Sequence, residues 1–145
     1  MKSVGIITMH NIRNYGSFMQ AYATLHCIEN LGLKAELIDY RYPNSLHHCT
    51  SPSLKSKVKH GIGCFAKLLL PGNPYQILNK RWNDAFSRYY KLSRIYPTRD
   101  SLFSAPPTYD IYLIGSDQVW NESFINYDDS FFAAFAPEYA KKVAF

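Results

Sequence analysis

Cysteine is scarce in this chain, and no apolar run reaches the length of a membrane-spanning helix. The three cysteines, Cys27, Cys49 and Cys64, lack the spacing of a disulfide framework, which favours a reducing compartment. The residues after Met1 form no signal peptide, because Lys2 is followed by a short strand-like run and then by polar residues. These absences predict a cytoplasmic protein.

The common nucleotide, hydrolase and metal motifs are also missing. There is no P-loop and no G-x-S-x-G elbow. The run "GIGCFA" at 61–66 fits a dinucleotide pattern, but it follows no strand and lies in a lysine-rich amphipathic stretch. The possible metal ligands match no standard zinc spacing: His47, His48, Cys49, His60 and Cys64. We therefore expect neither a bound metal nor a cofactor.

The chain is mildly basic, with a net charge of +5 from 16 basic and 11 acidic residues. This bias suits anionic ligands and is too weak to indicate a nucleic-acid partner. Much of it lies in 53–70, where four lysines accompany apolar residues at helical spacing. Two interpretations remain open: a solvated lysine face over a buried stripe, or peripheral association with an anionic membrane surface.

Aromatic residues are frequent, with 12 Tyr, 9 Phe and 2 Trp among 145 residues. Rings of this size can simply fill the core of a single domain. Tyrosine and tryptophan also present a flat apolar face beside a hydrogen-bonding group, which suits sugars and other cyclic ligands. Composition alone leaves both interpretations open.

Hydrophobic patterning predicts an α/β fold. A buried strand at 3–8, a helix at about 17–31 and a second strand at 34–40 make one βαβ unit with parallel strands. The apolar face of this helix is expected to comprise Phe18, Tyr22, Leu25, Ile28 and Leu31, with Gly32 as a left-handed cap. Another helix is expected within 72–90, with Asn73 as cap, Pro74 in its first turn, and a core face formed by Ile77 or Leu78, Trp82, Ala85 or Phe86, and Tyr89.

Two further strands are expected near the end of the sequence, one in 109–114 and one starting in 139–145. Between the second helix and the first of these strands, 97–108 is expected to be loop with at most one helical turn. The last strand runs to the final residue. We therefore expect residues 1–145 to be the N-terminal part of a longer domain, cut inside a strand.

Two polar loops follow predicted strands, where open parallel sheets bind their ligands. In "HNIRNYGS" (10–17), Gly16 permits close approach of a ligand, and the helix that follows offers N–H groups. Ser17 or Asn14 can instead serve only as the helix cap. In "GSDQVWN" (115–121), Gly115 allows a sharp exit from the strand and Asp117 can act as a base. Trp120 forms either one wall of a saccharide pocket or part of the core.

Together these loops resemble those of the polysaccharide pyruvyl transferase family. Residues 4–44 contain an N-Y-G loop followed by "MQAYATL", which is similar to the family's first motif. The segment "YDIYLIGSDQVWN" is similar to its second motif, a strand ending in G-S-D-Q-x-W-N, and 128–145 is similar to the stretch that follows. The middle of the chain resembles the family only loosely.

The resemblance implies a Rossmann-like parallel sheet with flanking helices, forming the N-terminal lobe of a two-lobed GT-B-like fold. It implies an enzyme that transfers a pyruvyl group from phosphoenolpyruvate, its co-substrate, to a sugar of a cell-surface polysaccharide, forming a cyclic ketal. The expected partners are phosphoenolpyruvate and a saccharide acceptor, met in the cytoplasm or at the inner face of the membrane. The family's catalytic histidine and most of its basic donor-binding residues correspond to positions beyond Phe145.

The resemblance assigns Asp117 as the catalytic candidate, acting on an acceptor hydroxyl. It assigns substrate binding to a set of residues in the two motifs: Asn14, Tyr15, Gly16, Gln20, Ser116, Gln118, Trp120 and Asn121. Two other functions remain open, a glycosyltransferase-like protein that uses a nucleotide sugar and an inactive, truncated sugar-binding fragment. Nothing in the sequence predicts the oligomeric state.

Overall fold

The computed structural model describes residues 1–42, 74–115 and 117–145. Five strands are present in this part of the chain: β1 (Ser3–Ile7), β2 (Lys34–Tyr40), β3 (Leu92–Tyr96), β4 (Ile111–Ile114) and β5 (Lys141–Ala144). The α-helices described are α1 (Tyr15–Asn30), α2 (Pro74–Tyr89), α3 (Arg99–Ser104) and α4 (Glu122–Ile125). Two 3₁₀ helices span Asp117–Trp120 and Asp129–Phe132.

The five strands form one sheet in the order β3-β2-β1-β4-β5, and every neighbouring pair is parallel. β1 lies in the middle, where Ile6 is opposite Leu37 of β2 and Leu113 of β4. The prediction of an α/β fold with a parallel sheet and flanking helices is confirmed. The predicted strands at 3–8, 34–40, 109–114 and 139–145 all correspond to observed strands.

One face of the sheet supports the main core. Side chains alternate along a strand, so Ile7, Ile38 and Tyr112 point to the same side. Against them pack Leu102 of α3 and apolar residues of the connection between β4 and β5, namely Val119, Ile125, Phe131 and Phe135. Burying each large side chain contributes roughly 1.5–3 kcal/mol. This connection is therefore fixed to the sheet by its own apolar residues.

α1 packs against β2 through small residues, with Ser17, Ala21, Thr24 and Leu25 buried. Of the predicted apolar face, Leu25 is buried, Phe18, Tyr22 and Ile28 are half-buried, and Leu31 is wrong. Small side chains let the helix backbone lie close to the sheet, and Leu31 is exposed. The Phe18 and Tyr22 rings are half-buried and stack on each other, with centroids 6.5 Å apart. Gly32, with φ of 76°, has the predicted left-handed conformation after the helix.

β3 is absent from the sequence predictions. Its five residues include Ser93 and Arg94, and two positions of the strand are exposed, so it lacks the continuous apolar run of a buried strand. α3 is also longer than the predicted single turn. Thr98 and Ser101 form a reciprocal capping box at its start.

α2 belongs to a second compact unit and begins at Pro74, as predicted. On its expected core face, Trp82 packs against Phe86, while Ile77, Leu78 and Tyr89 are exposed. The expected cap Asn73 and the basic segment 53–70 lie outside the described residues.

Gly5 and Gly115 give a matched test of the central packing. A Cβ at Gly5 would overlap the ring of Tyr109, whereas a Cβ at Gly115 would meet only Gln20 Nε2, at an ordinary 3.8 Å. We expect Gly5→Ala to lower the free energy of unfolding by about 1–3 kcal/mol, because Tyr109 must move. Gly115→Ala should change it by less than about 1 kcal/mol. Denaturant unfolding measures both changes. Equal losses of unfolding free energy in the two variants would contradict the close packing of Tyr109 against Gly5.

Candidate functional site

Two polar loops leave neighbouring strand ends at the centre of the sheet. The Gly115 N–H donates to the carbonyl of Ile7 at 3.1 Å, across the β1–β4 pair. The strand order reverses at this pair, because β2 and β3 lie on one side of β1, and β4 and β5 extend on the other. Open parallel sheets bind ligands outside the carboxyl ends of their strands at such a switch point. The structure thus brings the two sequence motifs to one edge.

In the first loop, Asn14 caps α1. Its side-chain oxygen accepts hydrogen bonds from the N–H groups of Gly16, at 2.7 Å, and Ser17, at 3.3 Å. The Phe18 N–H donates to the carbonyl of Asn14. The expectation that this helix end offers N–H groups to a ligand is therefore wrong for these three donors. The capping interpretation of Asn14 is confirmed, and its binding of substrate stays a prediction.

Gly16 serves the cap geometrically, because a Cβ there would lie 3.0 Å from Asn14 Oδ1. Its backbone is not left-handed. Beside it, Tyr15 is 75% exposed at the first position of α1. The loop therefore presents an aromatic side chain to solvent at the switch point.

Gln20 connects the first motif to the second. Its side-chain oxygen accepts from Thr8 Oγ1 and its amide donates to Thr24 Oγ1, both at 3.2 Å. Its Nε2 also faces Gly115. Both ends of this half-buried amide already have partners, so Gln20 is held between the end of β1 and α1, next to Gly115.

The second loop forms a 3₁₀ helix at Asp117–Trp120. Ser116 and the side chain of Asp117 lie outside the described part of the chain, so their assigned roles stay predictions. Residues three apart align in a 3₁₀ helix, and Asn121 Nδ2 donates to Gln118 Oε1 at 2.8 Å. Gln118 is exposed. This amide pair is thus held together at the surface.

Trp120 is at the surface, with 49% of its side chain exposed. Its ring centroid lies 5.4 Å from that of Phe132, which is itself 41% exposed. The interpretation of Trp120 as a core residue is therefore wrong. Phe132 was not recognised in the sequence, because nothing in "DDSFFAAF" distinguishes an exposed phenylalanine from a buried one.

A buried polar cluster at the ends of β1 and β2 was also missed. His10 and Asp39 are 3% and 2% exposed, and His10 Nε2 lies 3.1 Å from Asp39 Oδ1. The other ring nitrogen faces the carbonyl of Thr8 at 3.3 Å. Arg41 donates to Asp39 Oδ2 at 2.7 Å and to Asn11 Oδ1 at 2.9 Å. The cluster attaches residues 8–11 of the first loop to β2. The sequence offers only the polar residues that end two strands as a signal.

Asp39 is held in its charged form. Burial by itself would raise its pKa, but hydrogen bonds and charges from His10 and Arg41 outweigh burial and lower the pKa. Because the folded pKa lies below the unfolded value of about 3.9, the carboxylate contributes stability above that pH. The contribution is lost as the pH falls through the folded pKa.

We expect Asp39→Asn to lower the free energy of unfolding by about 1.5–3 kcal/mol near pH 7, since it removes a buried carboxylate that accepts hydrogen bonds from Arg41 and faces the His10 ring. The difference from the parent should shrink as the pH falls below about 4, because Asp39 of the unfolded parent then binds a proton while the folded carboxylate, whose pKa is lowered, still resists it. Denaturant unfolding at several pH values measures it. The exposed Asp100 provides the control substitution, Asp100→Asn. A difference that stays constant down to pH 3 would contradict the buried ion pair.

The connection between β4 and β5 contains all the non-glycine residues of the described chain with positive φ. Asn126, Tyr127 and Ala133 have φ of 48°, 57° and 52°. Left-handed backbone is unfavourable for residues with a Cβ, and more so for bulky ones. The turn is attached to the carboxyl end of β2, because Tyr40 donates its hydroxyl proton to Asp128. Burial raises the pKa of Tyr40, and the hydrogen bond to the Asp128 carboxylate and its charge raise it further.

Tyr127→Gly should raise the free energy of unfolding by about 1 kcal/mol, because glycine adopts this backbone without strain. Tyr139→Gly is the matched control, since Tyr139 is also exposed but has no left-handed backbone. We expect the control to be neutral or slightly destabilising. Thermal or denaturant unfolding decides, and similar losses of stability in the two variants would contradict strain at Tyr127.

Within the described ranges, no cluster of three or more His, Cys, Asp or Glu side chains could hold a metal ion. The histidines and cysteines at 47–49, 60 and 64, whose spacing matches no standard zinc site, lie outside the described ranges. Among the helices that the structure describes, none is long and apolar enough to cross a membrane.

No protein-family model, curated protein or solved structure matches the chain.

Proposed function

We propose that this chain is the acceptor-binding, N-terminal part of a polysaccharide pyruvyl transferase with a GT-B-like architecture. The observation that carries the proposal is the convergence of the two motifs: Gly115 is hydrogen-bonded to Ile7, and Gln20 faces Gly115 from α1. Gln20 and Gly115 are 95 residues apart in sequence. Shared placement at a switch point is what a substrate site of an open parallel sheet requires.

The residues at this edge suit a saccharide. Tyr15 and Trp120 are exposed aromatic residues, and rings of this type pack against the apolar face of a sugar. Gln118 and Asn121 supply amide donors and acceptors for hydroxyl groups. In this proposal Asn14, Gly16 and Gln20 shape the loops, and Ser116 adds a hydroxyl.

The reaction transfers a three-carbon unit to two hydroxyls. The methylene carbon of phosphoenolpyruvate gains a proton and becomes a methyl group, both acceptor oxygens bond to C2, and the C2–O bond to phosphate breaks. The two hydroxyls lose two protons in all, which balance the one added to the methylene carbon and the one carried away on the phosphate. In this proposal Asp117 accepts a proton from an acceptor hydroxyl, or orients it by a hydrogen bond. The acid that protonates the methylene carbon and the cations that bind phosphate are assigned to the part of the family fold that follows residue 145. The acceptor would be met in the cytoplasm or at the inner face of the membrane.

The test is made in the native host. The gene is deleted, and the proton NMR signal of the ketal methyl group in the surface polysaccharide is measured. We expect the ketal signal to disappear on deletion and to return with the parent gene. Complementation with Asp117→Ala should leave ketal formation at least about a hundredfold slower, the lower end of the range for loss of a general base.

Asp100→Ala is the matched control and should restore the ketal, because Asp100 lies in α3 and not in either motif. An unchanged ketal content after deletion would contradict the proposal. Loss of a sugar residue with the ketal intact would favour the nucleotide-sugar glycosyltransferase instead.

A further inference from the structure

Strain and exposure coincide in the turn at 126–133. Three of its non-glycine residues have left-handed backbone. Between them lie two residues that anchor the turn to β2 and the residues after it. Asp128 accepts a hydrogen bond from Tyr40, and Phe131 packs against the rings of Tyr40 and Tyr42. Backbone in sparsely populated regions persists only where its surroundings enforce it, and such residues concentrate at ligand sites. The anchors therefore hold this turn at the carboxyl edge of β2 despite its cost.

The turn places Phe132 beside Trp120. Phe131 is buried while Phe132 is exposed, and Ala133 ends the 3₁₀ helix in left-handed conformation with its N–H bonded to Ser130 O at 3.0 Å. This local geometry fixes which of the two adjacent phenylalanines faces solvent. The rings of Phe132 and Trp120 have centroids 5.4 Å apart and planes tilted by 58°, so they touch and present one angled aromatic surface to solvent, here called the wedge.

A polar edge adjoins these rings. Gln118 and Asn121 precede and follow Trp120 closely in the chain, and their side chains are hydrogen-bonded to each other. Flat apolar rings beside planar amides match a pyranose ring, which has one apolar C–H face and a rim of hydroxyls.

We propose that Trp120 and Phe132 form a pyranoside-binding wedge, with Phe132 as a specificity-determining residue for a cyclic sugar. The choice of a saccharide as ligand rests on the proposed function, whereas the wedge binds its sugar without phosphoenolpyruvate. Phe132 therefore extends the acceptor site beyond the two sequence motifs.

The experiment uses the whole chain labelled with 5-fluorotryptophan, which gives two ¹⁹F NMR signals because the chain has two tryptophans. The buried Trp82 serves as an internal reference. The probe is methyl β-D-galactopyranoside, and galactitol is the acyclic control with similar hydroxyls but no ring face. We expect the Trp120 signal to move saturably with the glycoside, with a Kd on the order of millimolar for a ligand of this size, and not with galactitol.

Two variants at one position separate binding from folding. Phe132→Leu keeps an apolar side chain but removes the flat ring, and should weaken glycoside binding at least about fivefold, close to 1 kcal/mol. Phe132→Tyr keeps the ring and should bind as the parent does. Unfolding midpoints of both variants are measured alongside, and each should remain near that of the parent.

Equal responses to glycoside and galactitol, or equal affinities of Phe132→Leu and the parent, would overturn the wedge. A Trp120 signal that moves with protein concentration but not with glycoside would also overturn it, because a second copy would then cover the rings. Loss of the ketal on gene deletion, without glycoside binding, refutes the wedge alone. Glycoside binding without loss of the ketal refutes pyruvyl transfer alone.

Discussion

The parallel pairing of β1 with β4 is the interaction on which the rest of this structure depends. It joins residues 4–7 to 111–114, so it closes most of the chain into one loop at a considerable cost in conformational entropy. The cost is offset by apolar burial on both faces of β1, where Val4, Ile6 and Ile7 are almost inaccessible to solvent. Once the pair forms, the loops that leave the two strands must lie side by side.

The carboxyl edge of the sheet combines features that a stable fold alone does not need. The Asp39 carboxylate and the His10 ring are buried against each other at the end of β1 and β2, although replacing buried ionic groups with apolar residues is often neutral or stabilising. Left-handed backbone and exposed aromatic rings occur together in the connection after β4. Local rules that are broken at one edge of an otherwise regular sheet are typical of a functional site.

The sequence was sufficient for the βαβ unit and for the strand before each motif, because these segments have clear periodicity and end at polar or glycine residues. It failed for β3, whose polar Ser93 and Arg94 resemble loop, and for the buried face of α1, where small residues decide much of the packing. His10 and Asp39 are far apart in sequence, and only strand register brings them together. Phe131 and Phe132 show the same limit, because adjacent identical residues have opposite environments that only the turn determines.

A nuclear Overhauser contact between the two motifs would test most directly whether they lie together at the switch point of the sheet. The side-chain amide protons of Gln20 and the α protons of Gly115 belong to groups whose positions nearly touch, since a Cβ on Gly115 would lie 3.8 Å from Gln20 Nε2. We expect a cross-peak between these amide and α protons in the unliganded protein. Absence of this cross-peak, in a sample that shows the Ile7–Ile114 contacts of the β1–β4 pair, would contradict a single site built from both motifs.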